Sequence, residues 1–102
     1  MKKTPKELVK IAAEVRKDIM NMVVMAGSGH PAGSLSMVEI FTALYFSIMN
    51  HDPTNPFWEE RDRLIVSNGH VCPAQYSAMA HAGYFPLDEL NSYAKLGSRL
   101  QA

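Results

Sequence analysis

Arg63-Leu64-Ile65-Val66-Ser67-Asn68-Gly69-His70 decides the fold class. Its apolar centre is continuous and is bounded by Asp62 on one side and the turn pair Asn68-Gly69 on the other. That pattern suits a strand covered on both faces, as in a parallel α/β sheet. It is the one convincing strand in the chain. Upstream, His51-Asp52-Pro53-Thr54-Asn55-Pro56 cannot continue a helix, because each proline removes a donor and restricts the residue before it. Ser36 opens the preceding helix, with Glu39 completing an S-x-x-E capping box. Met37, Ile40, Phe41, Leu44, Tyr45 and Ile48 form its buried stripe, and it ends near Asn50.

Further out, Gly27-Ser28-Gly29-His30-Pro31-Ala32-Gly33-Ser34 is a loop rich in glycine, the residue that lets backbone approach a ligand without interference from Cβ. Residues 5–26 before it read as an amphipathic helix. Leu8, Ile11, Ala12, Val15, Ile19, Met22 and Val23 mark its inner face, Pro5 stands at a first-turn position and Gly27 stops it. Downstream of the strand, Pro73–His81 and Pro86–Leu96 read as helices closed by Gly83 and Gly97. One strand cannot make a sheet, yet these helices have apolar faces that want one to cover. The expectation is an α/β domain that this chain only begins, its parallel sheet completed by other polypeptide.

The chain has 102 residues, with ten Lys+Arg against ten Asp+Glu. That length allows one small domain. A hydrophobic fraction of 47% and a charged fraction of 20% are globular values, which argues against wholesale disorder. Zero formal net charge argues against a grip on nucleic acid, which takes a basic surface. A single cysteine, Cys72, excludes an internal disulfide framework and suits a reducing compartment. No apolar run reaches the ~18–20 residues of a membrane span, and the N-terminus has no apolar signal core. The expectation is a cytoplasmic chain without membrane contact.

His30 and His70 each follow a glycine in a loop, and His70 stands directly after the strand. The carboxyl ends of parallel strands are where open α/β sheets bind ligands. A histidine there can hydrogen-bond a phosphate or exchange a proton near neutral pH. The remaining candidates read as structural. His51 and His81 follow or close helices, where they cap carbonyls or face water. No His/Cys pair has zinc-site spacing. The Gly27-Ser28-Gly29 run follows a helix and not a strand, and it lacks the Gly-Lys-Ser/Thr ending of a P-loop. Cys72 reads as a small buried residue, and the seven methionines as packing.

Ala26 to Ser36, Arg61 to His70, Ala82-Gly83-Tyr84-Phe85-Pro86-Leu87 and Leu96 to Gln101 together resemble the start of transketolase, in order and across essentially the whole chain. Deoxyxylulose-phosphate synthase is similar in architecture but differs at both histidine motifs. The length is similar to part of the split form, in which N-terminal and C-terminal subunits share the work.

The resemblance implies the first portion of a thiamine-diphosphate-binding fold, with residues 1–102 an incomplete N-terminal domain. It implies an enzyme of the pentose phosphate pathway that moves a two-carbon ketol unit between sugar phosphates. The cofactors it implies are thiamine diphosphate and Mg2+, or Ca2+ in its place. By motif match, His70 contacts the diphosphate, and His30 stands beside the reacting carbons, assisting proton transfer and orienting substrate hydroxyls. Gly29, Pro31 and Gly33 shape the loop.

Ala32 departs from the family's usual glycine. The chain also ends at Gln101-Ala102, before the family's further Gly-His-Pro and before the Gly-Asp-Gly and asparagine that hold the metal. Metal ligands are therefore expected outside this chain, which alone would be inactive. Its expected partners are the remaining N-terminal portion and a C-terminal transketolase subunit, in an oligomer. Two alternatives are a non-catalytic remnant or interaction module, and part of another ketol transferase such as dihydroxyacetone synthase.

Overall fold

The computed structural model describes residues 2–27 and 31–102. Helix α1 spans Pro5–Ala26 as the periodicity predicts. Thr4 caps it: the Glu7 main-chain N–H donates to Thr4 Oγ1 at 3.2 Å, and the Thr4 N–H donates to Glu7 Oε1 at 3.0 Å. This reciprocal pair satisfies two orphan donors of the first turn. Gly27 ends the helix at φ 71°, a left-handed conformation in which glycine pays no Cβ penalty. Ala12, Val15, Ile19 and Met22 form its buried stripe.

The helix expected from Ser36 is divided differently. Helix α2 covers Pro31–Ser36, the chain breaks at Met37, α3 covers Val38–Ala43, and a π-helical turn follows over Leu44–Ile48. The capping box does not form. The Ser36 hydroxyl donates back to the Gly33 carbonyl at 2.7 Å, and Glu39 forms an ion pair with Arg16 of α1. Proline tolerates the first helical position, so Pro31 lets the helix begin earlier. The buried set is Val38, Phe41, Thr42, Tyr45 and Phe46. The wide π turn and the break at Met37 rotate the face, leaving Ile40 51% and Ile48 60% exposed.

Helix α4 spans Cys72–Ala82 behind a 3-10 turn at Gly69–Val71, with Gly83 at φ 105° closing it. Its small residues Ala74, Ser77 and Ala78 are fully buried, which lets it lie close against α1. Val15, Ile19, Val38, Phe41, Val71, Ala74 and Ala78 make the central core. A second cluster of Met22, Ala80, Leu90, Tyr93 and Leu100 gathers the C-terminal residues. There the helix expected over 86–96 is only a 3-10 turn, Leu87–Ser92. Ala94 adopts φ 61°, and its N–H donates to the Leu100 carbonyl at 2.8 Å, so the chain doubles back. Arg99 pairs with Glu89 across this turn, its Nη2 donating to Glu89 Oε1 at 2.8 Å.

The expected strand, and with it the parallel sheet, is not formed among the described residues. Residues 63–67 carry no ladder, and all regular structure is helical. Nor is the segment covered on both faces: Leu64 and Val66 pack on the core while Ile65 is 87% exposed. The physical reason is that a strand exists only against a partner, and among the described residues no second extended segment pairs with this one. Its approach is fixed by a clasp. The Asn50 N–H donates to Asp62 Oδ2, and the Asp62 N–H donates to the Asn50 carbonyl, each at 2.7 Å. No helix among the described residues is long and apolar enough to cross a membrane.

Candidate functional site

His70 sits exposed in the 3-10 turn that feeds α4. Its ring lies against α2. A Cβ built on Gly33 would stand 3.2 Å from His70 Cδ2 and 3.6 Å from Val71 Cγ1. Glycine at 33 therefore serves a close approach, since its φ is not in the left-handed region. Nothing lies within 4 Å of a Cβ position on Gly69, so the turn is open on that side. The contact joins the described end of the first Gly-His loop to the second Gly-His turn. The sequence expectation for His30 falls on Ser28-Gly29-His30, which lies outside the described residues.

The other histidines are tied into the framework. The His51 ring spans two groups: Nε2 donates to the Tyr45 carbonyl at 2.7 Å, and Nδ1 accepts from the Tyr84 hydroxyl. A carbonyl can only accept, so this pairing holds the neutral ring in the Nε2–H tautomer. His51 also stacks on Tyr84, with centroids 5.6 Å apart and an interplanar angle of 10°. It caps a carbonyl, as the sequence suggested.

His81 does not cap its own helix. It reaches α1, where its Nε2 meets Asp18 Oδ2 at 2.7 Å, and the Ser77 hydroxyl donates to the same oxygen at 2.8 Å. Asp18 lies outside the buried stripe of α1, and the sequence pattern did not announce this network. The partners are 63 residues apart, and no local pattern joins them.

Cys72 is half-buried, and burial pushes its thiol up, away from the thiolate that a nucleophile needs. Beside it, burial first and the contact with Cys72 second push Tyr93 up to about 12. The Tyr76 hydroxyl donates to the Gln101 carbonyl at 2.6 Å, pinning the C-terminal residues to α4. Among the described residues, no group of three or more His, Cys, Asp or Glu side chains could hold a metal ion. A cleft of about 480 Å³ is lined by Lys2, Lys3, His51, Trp58 and His81, among others; neither Gly33 nor His70 lines it.

The arrangement offers an exposed imidazole on an open glycine turn at the head of an 11-residue helix, where an anion would meet the favourable end of the helix dipole. The family model for the transketolase thiamine diphosphate binding domain matches residues 8–102, and the chain belongs to this family. It is 46% identical over 86 residues to the 6-deoxy-6-sulfo-D-fructose transketolase subunit SqwG of Clostridium sp. (strain MSTE9), covering 84% of this chain and 31% of that protein. It is 39% identical over 90 residues to transketolase 2 of Escherichia coli (strain K12), covering 87% of this chain and 14% of that enzyme. The chain thus spans under a third of the length of either relative.

Proposed function

We propose that this chain is an N-terminal fragment or subunit of a transketolase, competent only when further chain completes it. In this reading the assembly transfers a two-carbon ketol unit between sugar phosphates in the cytoplasm. The family match over residues 8–102 carries the proposal. The packing of Gly33 on His70 supports it, because it sets α2 against the turn that bears the Gly69-His70 motif.

The described residues fit part of the cofactor. His70, on the open turn of Gly69, would hold the diphosphate through an imidazole N–H, and Gly33 would set the ring's position. Thiamine diphosphate, when bound, supplies the carbanion chemistry of ketol transfer. His30 would hold and move a proton beside the reacting carbons, a contribution of roughly 10²–10⁴ in rate. In this reading Mg2+ or Ca2+ would be held by groups from the completing chains.

Calorimetric titration of thiamine diphosphate with Mg2+ tests the reading, with and without the completing transketolase chains. Binding in the mixture alone is the expected result. In that assembly His70→Ala should weaken cofactor affinity, whereas His30→Ala should lower turnover more than affinity. Unchanged cofactor affinity in the His70 variant would remove the role assigned to it.

A further inference from the structure

The cleft of about 480 Å³ stands apart from the Gly69-His70 turn, since neither Gly33 nor His70 lines it. Its size falls within the range of small-molecule sites, about 300–1,000 Å³. The π-helical turn over Leu44–Ile48 builds one wall through Tyr45, Phe46 and Ser47. The Tyr45 and Phe46 carbonyls lie in that last turn, where a helix supplies no donors of its own. His51 Nε2 donates to the Tyr45 carbonyl at 2.7 Å, and the Lys3 N–H donates to the Phe46 carbonyl at 2.9 Å. These bonds fix the His51 ring and the Lys3 main chain in the lining. They also cap carbonyl oxygens that would otherwise repel an anion.

Lys2 and Lys3 bring two positive charges to the lining, and none of the lining residues is acidic. Two full charges exceed the roughly half unit at each of the two helix C-termini beside the cleft. Among the described residues neither ammonium forms an ion pair. The carboxylates on neighbouring elements are engaged elsewhere. Asp52 accepts from the Thr54 N–H and hydroxyl, Asp62 from the Asn50 N–H, and Asp18 from Ser77 and His81. Trp58, 38% exposed, adds aromatic surface beside Met49 and Pro53. We propose that the cleft binds a phosphomonoester carried on a flat aromatic ring. The two ammonium groups meet the dianion, and the ring lies against Trp58.

Trp58 is the chain's single tryptophan, so its fluorescence reads the cleft directly. Phenyl phosphate titrated into the full chain should change that emission saturably, with half-saturation below about 1 mM, and should give a matching heat in calorimetry. Phenol carries the ring without the charge, and inorganic phosphate the charge without the ring; each should bind at least about 10-fold more weakly. Lys2→Gln combined with Lys3→Gln should weaken phenyl phosphate about 10-fold, while Lys2→Arg combined with Lys3→Arg should retain it. Both side chains are exposed, and Lys3 holds Phe46 through its main chain, so neither pair of changes removes packing.

No saturable emission change together with no heat of binding would overturn the proposal. Heat without an emission change also overturns it, because the ligand would then sit away from Trp58. Equal affinity for inorganic phosphate would leave an anion site with no ring contact, and equal affinity for phenol would show the lysines idle. Undiminished affinity in the glutamine pair would place the ligand outside the cleft. Each of these results refutes the assignment.

Discussion

Replacing Asp18 with alanine removes one carboxylate oxygen that serves two donors on a neighbouring helix, at 2.7 Å from His81 and 2.8 Å from Ser77. The two losses are unequal. Ser77 is fully buried, so its hydroxyl would lose a partner where water cannot replace it, a cost of about 1–3 kcal/mol. The His81 side chain retains 18% exposure and can turn to solvent, so its share falls to about 0.5–1 kcal/mol. The sum is about 1.5–4 kcal/mol. For a chain of this size the urea slope is about 1–2 kcal/mol per molar, which makes the midpoint fall by roughly 0.8–4 M.

Urea unfolding followed by far-ultraviolet dichroism measures the shift. A double-mutant cycle identifies its source, because Asp18→Ala should cost less in a Ser77→Ala background than in the parent. A midpoint shift below about 0.3 M, or full additivity with Ser77→Ala, would show that the network does not join the helices energetically.

Thr42→Val should hold stability level or raise it by up to about 1 kcal/mol, because the buried Thr42 hydroxyl has no hydrogen-bond partner among the described residues and a methyl of similar shape suits its site. A loss above about 1 kcal/mol in the same urea assay would contradict that account. Tyr93 should ionise last among the tyrosines, at about 12, and Tyr93→Phe should erase that late component from an absorbance titration. A raised phenol value means that the folded state keeps its proton after the unfolded chain has lost it. Tyr93 therefore contributes fully below pH 10, and its contribution drains away between about 10 and 12. A titration unaltered by the substitution would reassign the late group.

What the sequence disclosed follows the range over which each signal acts. Helix α1 was legible from end to end, because Pro5, the apolar spacing and Gly27 are local and agree with one another. Helix α4 was readable for the same reason. The Ser36-to-Glu39 capping signature misled because both residues had better partners, the Gly33 carbonyl one turn back and Arg16 on another helix. Leu64-Ile65-Val66 could not reveal which face is covered, since all three residues are apolar and only packing separates them. Ala94 gave no sign of its left-handed backbone, which tertiary contacts impose. At the candidate site, glycine before each histidine was visible in the sequence, but the approach of Gly33 to His70 joins residues 37 positions apart.

The clasp between Asn50 and Asp62 has a consequence for how this region can vary. Two bonds of 2.7 Å fix where the chain leaves the core and where it returns, so the intervening residues do not set the position of the segment at 63–67. Loop-closure entropy grows slowly with length, at about 0.6 kcal/mol for each doubling. The stretch that carries Phe57, 83% exposed, can therefore lengthen, shorten or change composition while its two feet stay in place. The clasp acts as a hem: the cloth beyond it can be recut without moving the seam.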